Sequence, residues 1–155
     1  MKNPVERIRD RLIAGDRQKG VMVYSERNRR YFTEFPSDAG ALLITAEGAY
    51  LLQDFRYEEA AGYSAKNCTV VGFKNFVEKL CELMEQDGVK QVYMEINKLS
   101  VADSRKFEKA FNEKGIEVVL DETLDNAIKD QRMIKSPEEV KKIEAAQAIT
   151  DAAFQ

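Results

Sequence analysis

The stretch from Cys68 to Leu120 decides the fold class. It holds three short apolar runs, Thr69-Val70-Val71-Gly72-Phe73, Gln91-Val92-Tyr93-Met94-Glu95 and Ile116 to Leu120. Between them lie two stretches of helical periodicity. In the first, Asn75 is a cap, Val77, Leu80, Cys81 and Met84 form an inner stripe, and Gly88 is the stop. In the second, Ser100 and Asp103 open a helix with Phe107, Ala110 and Phe111 on one face, and Gly115 ends it. Helices of about a dozen residues between short apolar strands imply parallel crossovers.

Upstream the pattern changes. Ala41-Leu42-Leu43-Ile44-Thr45 and Ala49-Tyr50-Leu51-Leu52-Gln53 are strand-like and joined by Ala46-Glu47-Gly48, which predicts a tight antiparallel hairpin. Val5, Ile8 and Leu12 predict a helix from Pro4 to Lys19, ended by Gly20 and followed by a buried strand over Val21 to Tyr24. Ser25 reads as the N-cap of a short helix through Asn28 and Tyr31, and Phe35 to Gly40 as a loop. Asp54 closes the hairpin's second strand, and a helix is expected from Arg56 to Ala61. The sum is an α/β, three-layer architecture, with a mixed sheet of five or six strands and helices on both faces.

The tail opens with a strong helix start. In Ser136-Pro137-Glu138-Glu139, Ser is at the N-cap, Pro at the first helical position and Glu in capping-box position. Val140, Ile143, Ala146, Ile149 and Ala153 then share a face, and no stop signal precedes Gln155. The pattern is read as a helix whose natural chain continues; the alternative is a helix that packs back on the domain or pairs with a second copy.

The chain has 155 residues, 44% apolar and 33% charged, which suits a single globular domain with or without an appendage. Its 24 basic and 27 acidic residues give a net charge of -3, which argues against nucleic acid or an anionic membrane as partner. No run approaches the roughly 18 apolar residues of a membrane span, and no signal-peptide stretch follows Met1. The expectation is a cytoplasmic protein. There is no histidine, so no Ser-His-Asp triad, Cys-His pair or imidazole metal ligand exists. Cys68 and Cys81 have no CxxC spacing and read as small buried hydrophobes. No glycine-rich phosphate loop occurs.

Glu34, Asp38, Asp54, Glu58 and Glu59 cluster around the loop and hairpin. They read either as a carboxylate metal or acid-base site, or as a solvated rim with Asp54 capping a turn. Arg27, Arg29 and Arg30 beside Tyr31 read as an anion-binding group or as the wet face of a helix. Asp54-Phe55-Arg56-Tyr57 sets a carboxylate, a guanidinium and a phenol at a strand exit, a device that fixes a corner or recognises a partner.

Four features in order resemble one family. They are the N-terminal helix and strand; Asn28 to Phe35, similar to N-x-x-Y-x-[ST]-G-F; Asp54 to Ala60, similar to D-x-R-Y-x-x-x-A; and Arg132 to Val140, similar to R-x-x-K-S-x-x-E-[ILV]. Together they resemble the N-terminal domain of the creatinase, prolidase and aminopeptidase P group, the pita-bread metallopeptidases, over essentially the whole chain. The resemblance implies a ribonuclease-H-like domain over residues 1–131, then a linker and first helix over 132–155 leading into a catalytic domain. It implies a non-catalytic part of an Xaa-Pro dipeptidase that assists dimerisation and gates the active site, with its own catalytic domain and a second copy as partners. Proline-containing dipeptides or peptides would be the substrates. Two divalent metals (Mn, Co or Zn) would be held by Asp, Asp, His, Glu and Glu of the catalytic domain. This chain would then hold no catalytic and no metal-binding residue. The gating loop maps to Glu34, Phe35, Ser37 and Asp38, and the structural or interface motif to Tyr31, Asp54, Arg56 and Tyr57. Glu34 stands where the family has Gly. An aminopeptidase P or creatinase-like parent, a stand-alone interaction module and a carboxylate-metal nuclease are the alternatives.

Overall fold

The computed structural model describes residues 1–154; Gln155, where the sequence places an unterminated helix, lies outside the described residues. The first helix, α1 (Pro4–Leu12), starts from a capping box in which Asn3 accepts from the Glu6 amide and Glu6 accepts from the Asn3 amide. It is shorter than the sequence pattern predicts. Ala14 and Gly15 both adopt left-handed backbone and end the helix there, so Ile13 drops into the core. Gly20 is therefore no helix stop but a residue of strand β1 (Lys19–Val23), beside Val92 of β5 (Gln91–Met94).

Helix α2 (Glu26–Thr33) leads through a loop to the hairpin β2 (Ala41–Ile44) and β3 (Ala49–Gln53), antiparallel as the sequence predicts. Helix α3 (Glu58–Ser64) starts two residues later than expected. The delay comes from Asp54, whose carboxylate accepts the Arg56 amide while its carbonyl accepts the amides of Tyr57 and Glu58, so a turn occupies 54–57. The chain then runs through β4 (Thr69–Gly72), α4 (Phe76–Gln86), β5, α5 (Val101–Glu113) and β6 (Glu117–Val119). Asn75 and Ser100 cap α4 and α5 as predicted.

The strand order is β4-β3-β2-β1-β5-β6. Only β2 runs against its neighbours; β1–β5, β3–β4 and β5–β6 are parallel. Successive residues of a strand face opposite sides, and the burial follows that period. Val21, Val23, Leu42, Ile44 and Leu51 pack against α1, α2, α3 and a further helix, α6 (Thr123–Met133). Met22, Ala41, Leu43 and Leu52 pack against α4 and α5, where Phe107 and Phe111 stack. The three-layer, mixed six-stranded sheet expected from sequence is the fold. Helix α6 had no counterpart in the sequence reading, although Leu124, Ala127, Ile128 and Gln131 recur at helical spacing and are buried. It runs past residue 131 to Met133, and an extended stretch separates it from α7 (Pro137–Ala153). The Ser136 capping box of α7 is present. No residue of α7 is buried, so in this chain it does not pack back on the domain.

Cys68 and Cys81 are not paired with each other. Cys81 is buried and Cys68 half-buried, and burial pushes the Cys68 thiol up to about 11. A thiol so protonated at neutral pH is a poor nucleophile.

A polar lock closes the hairpin. Thr45 and Tyr50 both donate to Oδ2 of buried Asp87, at 2.6 and 2.8 Å. Burial first, and the Asp87 bond second, raise the Tyr50 phenol from 10.0 to about 12. The folded state thus keeps the Tyr50 proton that the unfolded chain gives up near pH 10. Its stabilising effect is complete below pH 10 and is lost as pH rises toward 12. The urea midpoint of the wild type should therefore fall more steeply between pH 10 and 12 than that of Tyr50→Phe.

Candidate functional site

Two clusters carry the residues singled out in the sequence. The first is the rim formed by the α2–β2 loop and the corner after β3. Glu34 has φ +57 and its amide bonds back to the Arg30 carbonyl, so it is the left-handed cap of α2. This explains the family's glycine: without a Cβ, glycine takes that conformation with no steric penalty. The Glu34 side chain points to solvent and pairs with Lys66 at 2.8 Å. Phe35 enters the core, with its ring edge-on to Tyr57 at 6.5 Å. Ser37 is buried, donating to the Ala39 carbonyl and accepting from the Gln53 amide. Pro36 and Asp38 face outward.

At the adjoining corner, Arg56 grips Asp54 in a fork, with its Nη2 at 2.7 Å, and its guanidinium lies 5.4 Å over the Tyr57 ring. The Arg56 hydrogen bond holds the Asp54 carboxyl below the usual range. Hydrogen bonding to Asp38 holds the Tyr57 phenol above its own. Phe55, at the tip between Asp54 and Arg56, is 86% exposed.

Of the four gating candidates, Phe35 and Ser37 therefore face inward and only Glu34 and Asp38 are presented. The acidic cluster does not converge. Asp54 belongs to Arg56, Glu34 to Lys66, and Glu58 leans on the β4 backbone at Gly72. Among the described residues no group of three or more Asp, Glu or Cys is placed to hold a metal ion. These side chains do not fit a dinuclear metal centre.

The second cluster is the junction at the end of α6. Glu95, 1% exposed, accepts from the amides of Tyr24 and Ser25, the Ser25 hydroxyl and the Asn28 amide. Ser25 is the N-cap of α2, as the sequence predicts, but its hydroxyl is committed to Glu95 and makes no capping bond to the helix. Asn28 in turn accepts from Arg132 at 2.7 Å, and Arg132 stacks 5.6 Å over Tyr31. The Tyr31 hydroxyl accepts from Arg7 and from Gln131. Asp125 receives the amides of Ile96 and Asn97. Two of the quoted motifs, Asn28 to Phe35 and Arg132 to Val140, thus meet side chain to side chain across the fold. A cleft of about 560 Å³ lies beside this junction, lined by Tyr31, Ile128, Arg132, Met133, Lys142 and Ile143.

Sequence reasoning missed Glu95, Asp125 and Gln53, because nothing local marks a polar residue as the hub of long-range bonds. It left Arg29 with the wet face of α2, yet Arg29 is 3% exposed; Arg27 and Arg30 are the outward pair. Arg29 stands three and four positions before Phe32 and Thr33, on the same face of α2, and that spacing was the available signal.

The model of the creatinase/prolidase N-terminal domain matches residues 5–134, and the chain belongs to that family. It is 27% identical to the uncharacterized peptidase YqhT of Bacillus subtilis, over 87% of this chain and 37% of that protein. It superposes on an Xaa-Pro dipeptidase from Bacillus anthracis with TM-score 0.85 and 25% identity, covering 97% of this chain and 41% of the other. For the prolidase from Pyrococcus horikoshii the TM-score is 0.77 at 28% identity, over 97% and 40%. The chain therefore spans about two fifths of the length of these relatives.

The left-handed cap gives a direct test. Glu34→Gly removes a steric cost of about 1 kcal/mol and forfeits an exposed ion pair worth well under that. It should raise stability in urea by up to about 1 kcal/mol, whereas Lys66→Ala should change it by less than about 0.5 kcal/mol.

Proposed function

We propose that this chain is the non-catalytic N-terminal domain of a metal-dependent Xaa-Pro peptidase, most like an Xaa-Pro dipeptidase. Its work is to anchor a catalytic domain, to support a homodimer and to narrow the approach to the active site. The observation that carries the reading is α7. A 17-residue helix with a full capping box leaves the domain beside Arg132, and none of its residues is fully buried in this chain. Ile134 is 75% exposed, and Met133, Val140, Ile143 and Ile149 are also uncovered. Apolar groups arranged in this way are suited to contact with a further domain.

On this reading the metals and the proline-containing dipeptide or peptide sit in the catalytic domain, and none of this chain's residues holds them. The rim from Glu34 to Gly40 limits the length of peptide that enters, with Asp38 as the group it presents. Two free thiols suit a reducing compartment and support a cytoplasmic enzyme.

The test has two parts. The coding sequence downstream of codon 155 should encode Asp, Asp, His, Glu and Glu in that order. The purified 155-residue chain should hydrolyse no Xaa-Pro dipeptide with manganese, cobalt or zinc. Chelator-sensitive hydrolysis by the chain alone would overturn the assignment.

A further inference from the structure

Arg29 is an expensive residue where it stands. Its guanidinium is buried, and its Nε has no hydrogen-bond partner. Among the described residues no carboxylate is hydrogen-bonded to it; its bonds go to backbone carbonyls. Burial accordingly pulls its pKa below the ordinary arginine value, with Glu26, Glu95 and Asp38 opposing that through charge alone. An apolar side chain would fill such a place at lower cost.

What Arg29 gains is a set of three carbonyls from two segments. Nη1 donates to Tyr24, at the end of β1, and to Gly40 at 3.0 Å, while Nη2 donates to Ser37 at 2.7 Å. Ser37 and Gly40 flank the outward-facing Asp38. Gln53 also donates to the loop from outside it, through Ser37 Oγ. Gly40 is fixed as well: its φ is +103, and a Cβ there would lie 2.0 Å from the Leu52 carbonyl. Few of the loop's backbone groups have strand or helix partners, so this planar cation takes the place of the missing ladder.

We propose that Arg29 is the positioning residue of the rim. It clamps both flanks of Asp38 to the end of β1 and so fixes the height at which the loop presents Asp38 beside Arg56 and Tyr57. The functional meaning rests on the gating role proposed above; the clamp itself is a property of this chain and is tested on it.

Two measurements on the 155-residue chain decide the matter. In the wild type, nitrogen NMR of the guanidinium groups should show resolved, slowly rotating Nη signals for Arg29, unlike exposed Arg27 and Arg30. Averaged Arg29 signals would overturn the clamp, and this readout needs no variant to fold. In Arg29→Lys, whose compact ammonium cannot fan out to three carbonyls, amide exchange of residues 37–41 should rise at least about tenfold while β1 and β5 keep their protection. The Tyr57 phenol should also titrate closer to its ordinary range, as it should in Asp38→Asn, where the exchange of the loop stays slow. Unchanged loop exchange in a folded Arg29→Lys would refute the proposal, whatever the parent enzyme proves to cleave.

Discussion

Burial of the central strands on both faces is the constraint on which the rest depends. β1 and β2 lie in the middle of the sheet, with Val21, Met22 and Val23 facing Ile44, Leu43 and Leu42, and every one of these residues is buried. A two-residue period then sends alternate side chains into two separate cores. Neither core can form without helices to cover it, so the three-layer architecture follows from two adjacent apolar runs. A single-residue slip between β1 and β2 would exchange the two sets, which is why the register is tightly specified.

Polar residues then set the details that apolar burial leaves free. Glu95 gathers four donors at the end of β5 and fixes where α2 begins. Asn28 passes that order to Arg132, and so to the direction in which α7 departs. Arg29, one residue further along α2, faces the opposite task and holds the rim loop. Adjacent residues of one short helix thus serve the departure of α7 and the rim loop.

The fold was legible because it rests on local signals. The hairpin at Gly48, the caps at Asn75 and Ser100 and the apolar runs of β4 to β6 all announce themselves within a few residues. The errors have local causes too. A glycine after a helical apolar period signals a stop at Gly20, whereas the helix ends at Ala14 and Gly15, and a compact turn at Asp54 displaces the start of α3. Helix α6 escaped notice because its apolar stripe is short and its last inward residue is Gln131. The candidate site was less legible, since its hubs are single polar residues whose partners lie about 70 to 100 positions away in sequence. The family pattern supplied the loop, but only geometry shows that Phe35 and Ser37 face inward, and that Glu34 occupies a position whose backbone suits glycine.

We infer that the domain is complete without α7 and that α7 is held out for another surface. The most direct measurement is urea unfolding of the chain truncated after Lys135, compared with the full 155 residues. The account predicts equal stabilities to within about 0.5 kcal/mol, because an exposed helix contributes little to a core it does not touch. A loss of several kcal/mol would show that α7 packs on the domain or on a second copy of it, and would contradict the account.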